Sequence, residues 1–230
     1  EEILKGCELA FSGGWTRVKL YFMIGLPTET EQDLKGIASL CEKITEKYYE
    51  LPKQQRPRPV QVTASSSCFV PKPFTPFQWD AQNTAEEFLQ KAKIVKKEIT
   101  KKQIKYHYHE AKLSSLEGVI ARGDRKIAKV IYRAWQLGCK FDGWSDLFQY
   151  DKWMQAFENT GVDIGFYNLR ERDQGEIFPW DFIDIGVTKD FLYQEWERAM
   201  KGEVTPNCRV RCSGCGVMKY KGGVCIESKN

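Results

Sequence analysis

No apolar run in this sequence approaches the roughly 18 residues of a membrane span. Its first residues, Glu1-Glu2-Ile3-Leu4-Lys5, are acidic and already helical in pattern, unlike the basic and apolar start of a secretory signal. Neither absence suits an exported protein, and no membrane partner is expected. Charge of one sign is missing too: 35 Lys and Arg face 31 Asp and Glu, for a net charge of +4. Such a balance permits contact with nucleic acid without arguing for it. Histidine is scarce, at two residues. Outside the cysteines, that leaves His107, His109 and the adjacent Glu110 as the obvious acid–base or metal candidates, with packing and hydrogen bonding as their plainer roles. There is no internal repeat and no low-complexity stretch, so repeat arrays and biased tails are excluded.

What is present is a globular composition, 42% hydrophobic with 13% aromatic and 29% charged residues, and a length that suffices for a core. The chain starts without Met and in mid-pattern, which reads as a piece of a longer protein. Eight cysteines are divided unevenly. Cys7, Cys41, Cys68 and Cys139 stand singly, and Cys7 and Cys41 lie on apolar helix faces, where a thiol is a small hydrophobe. Cys208, Cys212, Cys215 and Cys225 crowd the tail. Close spacing in a chain of this size favours a metal site in a reducing, cytoplasmic compartment over disulfides.

Hydrophobic spacing gives the order of elements. Ile3, Leu4, Cys7 and Phe11 mark a helix ended by Gly13-Gly14. Val18 to Leu26 is a nearly unbroken apolar run, as in a parallel strand buried on both faces. A helix follows from Thr30-Glu31, with Leu34, Ile37, Ala38, Cys41 and Ile44 in line. After a proline-broken loop, Val60 to Ser65 is a second strand, and residues 84–101 make another amphipathic helix. Ile104 to His109 alternates as a short strand does. Ser114 with Glu117 reads as a capping box opening a helix through Ile120, Ile127, Ile131 and Trp135 to Gly138. Residues 144–200 look helical and aromatic-rich. Helix and strand alternating over short loops is an α/β pattern with parallel strands. Two or three strands leave sheet edges unpaired, so the first hundred residues read as part of a barrel or open sheet with further strands upstream. The expected organisation is an α/β segment over 1–102, a helical extension over 103–202 and a cysteine-rich tail over 203–230.

The stretch that carries most information is Phe22-Met23-Ile24-Gly25-Leu26-Pro27-Thr28-Glu29-Thr30. A strand ending in Gly and Pro before a helix sets backbone amides at the C-terminal end of a parallel sheet, where α/β folds bind ligands. An ordinary strand-to-helix turn has the same features. "LYFMIGLPTETEQDL" resembles the late-strand motif of radical S-adenosylmethionine (radical SAM) enzymes, and "VQVTASSSCFVPKPFTPFQW" resembles the next strand and its proline-rich sequel. The remainder, including "SSLEGVIARGDRKIA", "FDGW" and "FPWDFIDIGV", is similar to a subgroup of that superfamily whose members often carry a cobalamin-binding-like domain.

The resemblance implies the C-terminal portion of a partial (βα)6 TIM-like barrel, followed by a helical extension and a Cys-rich tail. It implies SAM and a [4Fe-4S] cluster that cleaves SAM to a hydrogen-abstracting radical, with cobalamin in the full-length protein. Ile24, Gly25 and Pro27 would lie under the SAM adenine, and Phe69, Val70 and Pro71 would flank it. Glu29 is either part of that site or a helix-start acid. The superfamily's C-x3-C-x2-C motif opens the barrel, yet none precedes Val18. The cluster would therefore lie upstream, in a missing N-terminal part of the same protein, and this chain alone would be inactive. The C-x3-C-x2-C at Cys208, Cys212 and Cys215 follows the barrel instead. With Cys225 as a fourth ligand it would hold an auxiliary iron–sulfur cluster or a zinc ion, unless the thiols are simply unliganded. Arg122-Gly123-Asp124-Arg125 reads as a buried salt-bridge turn or a substrate corner, and Trp180, Asp181 and Asp184 as pocket lining or structural residues. Related enzymes act on RNA or ribosomal protein, which makes such a substrate conceivable. The other class of function is a non-catalytic RNA- or protein-binding module with structural zinc.

Overall fold

The computed structural model describes residues 1–220, which divide into two units: 1–69 with 83–114, and 70–82 with 115 onward. In the first unit the order is α1 (Glu2–Ser12), β1 (Arg17–Ile24), α2 (Glu31–Glu50), β2 (Gln61–Cys68), α3 (Ala85–Glu98) and β3 (Ile104–Tyr108). The strands form one parallel sheet in the order β1-β2-β3. β1 pairs with β2 from Arg17↔Gln61 to Ile24↔Cys68, and β2 with β3 from Val62↔Ile104 to Ser66↔Tyr108.

This corrects the barrel expected from the resemblance: among the described residues the sheet is open, with three strands. Closure would require strands that pair all the way round, whereas β1 and β3 each have one sheet neighbour. The apolar run of β1 is not buried on both faces either. Exposure alternates along it, with Arg17, Lys19, Tyr21 and Met23 on the open side. Val18, Leu20, Phe22 and Ile24 face the core, with Val62, Ala64 and Cys68 of β2 and Ile104 and Tyr106 of β3.

Helices cover that core face. Thr30 caps α2 with a capping box: the Asp33 N–H donates to Thr30 Oγ1, and the Thr30 N–H to Asp33 Oδ2 at 2.8 Å. The stripe Leu34, Ile37, Ala38, Cys41 and Ile44 is buried as its spacing requires. α3 has the same cap at Thr84 and buries Phe88, Ala92 and Val95. Burial of these apolar faces against the sheet is the main source of the unit's stability.

The second unit holds the greater part of α4 (Ala111–Arg122), then α5 (Ile127–Gln136), α6 (Tyr150–Thr160), α7 (Ile164–Asn168) and α8 (Lys189–Met200). The single helix expected from Ser114 to Gly138 is thus two, and Ser114 lies inside α4 instead of capping it. The break falls at Gly123, where a Cβ would stand 2.3 Å from Ile127 Cγ1 and 2.8 Å from the Val119 carbonyl oxygen. Two cores form. One joins Val119, Val130, Ala134, Trp153 and Phe157. The other gathers Trp79, Phe178, Trp180 and Leu192. Between α7 and α8 the chain is irregular, where the aromatic composition suggested more helix.

Candidate functional site

The C-terminal ends of β1 and β2 adjoin, and the Phe69 N–H donates to the Ile24 carbonyl at 2.9 Å. After Ile24 the backbone turns through Gly25 at φ 84°, a left-handed conformation that suits glycine. A Cβ at Gly25 would lie 2.3 Å from Phe88 Cε1 and 2.8 Å from Asn83 Oδ1. Glycine is therefore required by the packing of α3 against this turn.

Glu29 holds the turn. Its two carboxylate oxygens accept the Gly25 N–H at 3.0 and 2.9 Å, and Lys91 Nζ lies 2.6 Å from Oε1. The Glu29 side chain is 7% exposed, so this is an ion pair with little solvent screening. Of its two readings from sequence, helix-start acid or site member, neither anticipated this clamp. Lys91 was legible only as a polar residue of α3.

The residues that the resemblance assigns to the adenine are distributed unequally. Ile24 is 1% exposed in the core with Leu34 and Phe88, and Gly25 and Phe69 are buried. Pro27 is half-buried, with Leu26 and Met23 exposed beside it. Val70 and Pro71 belong to the second unit, where both are buried.

On the open side of the same sheet the register sets Tyr21, Ser65 and His107 in one row across the three strands, and Lys19, Thr63 and Lys105 in the row below. Tyr21 is 74% exposed, and Lys19 Nζ lies 4.9 Å from its ring centroid. His109 follows β3, exposed, and its backbone N–H donates to the Ser66 carbonyl at 3.0 Å. The alternation Arg17-x-Lys19-x-Tyr21-x-Met23 is the sequence signal for this face, masked by the apolar residues between.

In the second unit Arg122 is fully buried. Its Nη1 donates to the Asp80 carbonyl at 2.7 Å and its Nη2 to the Gln78 carbonyl at 3.3 Å. Burial, then the nearby Arg172 and Arg170, lower its pKa. The Arg122–Arg125 turn is thus held by backbone carbonyls on the arginine and by the Tyr167 hydroxyl, which donates to Asp124 at 2.9 Å. Burial pushes the Asp80 carboxyl up to about 6, opposed by the Trp196 indole N–H on Oδ2 at 2.9 Å. Asp181 accepts from the Phe178 N–H and from Lys189, and Asp184 from the Gly186 N–H and Lys219. Both aspartates stabilise turns.

Among the described residues no three His, Cys, Asp or Glu side chains are grouped to hold a metal ion. Cys208 and Cys212 are exposed and Cys215 is half-buried; Cys225 lies outside the described residues. The backbone around Cys215 is turned by Gly214 at φ 72° and Gly216 at φ 103°, and the Cys215 carbonyl accepts from the Thr188 N–H at 2.9 Å. Cys7, Cys41, Cys68 and Cys139 are buried, and none of the seven described cysteines is in a disulfide. Burial drives the Cys41 thiol up to about 11.

An uncharacterized protein of Methanocaldococcus jannaschii is 26% identical over 161 residues, covering 70% of this chain and 33% of that protein. The chain therefore spans about a third of that relative's length. No protein-family model matches the sequence. No solved structure matches it. Among the described residues no helix is long and apolar enough to cross a membrane.

Proposed function

We propose that this chain belongs to a radical SAM enzyme and contributes part of the wall against which the adenosyl end of SAM lies. The observation that carries the reading is the contact between the two motif segments. The Ile24–Glu29 turn and the Phe69 end stand side by side, joined by the Phe69 N–H to Ile24 carbonyl bond, at the edge of a parallel sheet where α/β folds take ligands.

The residues fit an adenine at the rim and not deeper. Ile24 and Phe69 are core side chains, and the Gly25 N–H is committed to Glu29. A ring would rest on Met23, Leu26 and Pro27, which are exposed or half-buried. Ile24, Phe88 and the Glu29–Lys91 pair fix that rim from behind. Together with an iron–sulfur cluster, SAM supplies radical chemistry, and in this reading the cluster's thiolates come from residues of the same polypeptide outside this chain. A cytoplasmic, reducing setting belongs to the same reading.

The test uses the longest polypeptide containing this chain, reconstituted anaerobically with iron and sulfide, and measures 5′-deoxyadenosine formed from SAM under a low-potential reductant. Leu26→Ala should raise KM for SAM roughly tenfold, the effect of losing apolar contact in a ligand slot, with the melting temperature unchanged. A protein with full cluster absorption that forms no 5′-deoxyadenosine would overturn the proposal. An unchanged KM in Leu26→Ala would remove the rim from it.

A further inference from the structure

The open face of the sheet bears three cations, Arg17, Lys19 and Lys105, and no acidic residue in any of its strands. None of the three is in an ion pair among the described residues; Lys19 only overlies the Tyr21 ring. Helices cover the opposite face, and the apolar clusters draw only on the residues of that opposite face. Across the open face the central strand carries small hydroxyl residues, Thr63, Ser65 and Ser67, between larger neighbours on β1 and β3. The result is a shallow trough along β2. Strands stand about 4.8 Å apart and rise about 3.3 Å per residue, so the trough is about 10 Å wide between the outer strands and about 17 Å long over Val62–Ser66, where β3 flanks it.

We infer that this trough binds a single-stranded polynucleotide. Each part of the surface matches one part of such a chain. The unpaired cations meet phosphates, whose neutralisation releases counterions. The exposed Tyr21 ring offers a stacking platform to a base. The hydroxyl row and the His107 imidazole present hydrogen-bonding groups to sugar and base edges. The width admits one strand and excludes a duplex, and the uniform positive sign excludes a basic partner. RNA and DNA share this chemistry, and the 2′-hydroxyl separates them. The inference does not rest on the SAM reading: its cations and Tyr21 lie below Met23, the one residue of this face that the adenine rim uses.

The experiment is fluorescence anisotropy of a labelled eight-nucleotide oligo-U and its oligo-dT counterpart with the whole chain, at several salt concentrations. Binding is expected to weaken with salt with a log–log slope of about −2, the value for three phosphate contacts to a single strand. In Lys19→Ala/Lys105→Ala the slope should shrink by about 1.4. In Tyr21→Ala the affinity should fall roughly five- to a hundredfold, as on losing one stacked base. The comparison variant is Lys43→Ala/Lys96→Ala, which removes the same charge from the helices. Tighter binding of oligo-U than of oligo-dT assigns the site to RNA, and the reverse assigns it to DNA. Equal losses in the two double variants would overturn the proposal, since any basic surface would then do. Absence of binding at low salt, or an unchanged affinity in Tyr21→Ala, would overturn it as well. Circular dichroism melting establishes that each variant is folded.

Discussion

Asp80 and Glu29 show how differently two carboxylates are used at the scale of single residues. Glu29 is matched on all sides, by a backbone N–H on both oxygens and by Lys91. Asp80 is buried with the Trp196 indole as its side-chain donor, and desolvation raises its pKa from 3.8 to about 6. The folded chain therefore holds a proton there that the unfolded chain releases between about pH 4 and pH 6. Asp80 contributes stability that is full below its unfolded pKa and is lost as pH rises through about 6. Asp80→Asn keeps an acceptor for Trp196 and removes the charge. It should flatten the fall in stability across that window and gain on the order of 1–3 kcal/mol at pH 7. Urea midpoints of both proteins from pH 4 to 7 provide the check, and parallel curves would show that Asp80 titrates normally. None of this is legible in Phe77-Gln78-Trp79-Asp80, because the Trp196 donor lies more than a hundred residues away in sequence.

At the scale of elements, stripes were legible, caps only in part, and edges were not. Thr30 and Thr84 stand three residues before an acid and open α2 and α3 as reciprocal capping boxes. Ser114 has the same spacing to Glu117 and caps nothing, because α4 has already begun at Ala111. A local signal is realised only where the preceding backbone is free to leave the helix. The Thr84 cap lies one turn before Phe88, which fills the space beside Gly25. Thr84→Ala is expected to lower stability by about 1 kcal/mol, read as a lower urea midpoint with an unchanged slope. A midpoint equal to the parent's would mean that the Glu87 N–H finds another acceptor. The three strands were found at their places, as were the parallel pairing and the contact of the first two. Their lack of a cover on one side was not, since an apolar run such as Val18 to Leu26 reads alike whether one face or both are buried.

For the whole molecule, the cysteines divide by depth. Cys7, Cys41, Cys68 and Cys139 are buried, whereas Cys208 and Cys212 are exposed and Cys215 half-buried. In a Cys225→Ser variant, a thiol reagent should label the three tail residues quickly and the four buried ones only on unfolding, because reaction needs an accessible thiolate. Fast labelling of Cys41 would contradict the packing of α2. The metal site at the tail, whether zinc or iron–sulfur, stays a proposal on donor chemistry and on the two left-handed glycines beside Cys215. With Cys225 in place, stoichiometric zinc is expected to slow labelling of the tail thiols, and unchanged rates would dismiss the zinc form. By itself the sequence determined the elements of the first unit, the parallel order of the strands and the adjacency of the two motif segments. Periodicity and capping are local, and a helix between two strands brings their ends together. Only the tertiary structure decided that the sheet is open among the described residues. It also decided that Phe88 and Lys91 lock the Gly25 turn, and that the cations of β1 and β3 share one uncovered face. Those outcomes depend on which distant surfaces meet, and local pattern does not encode that.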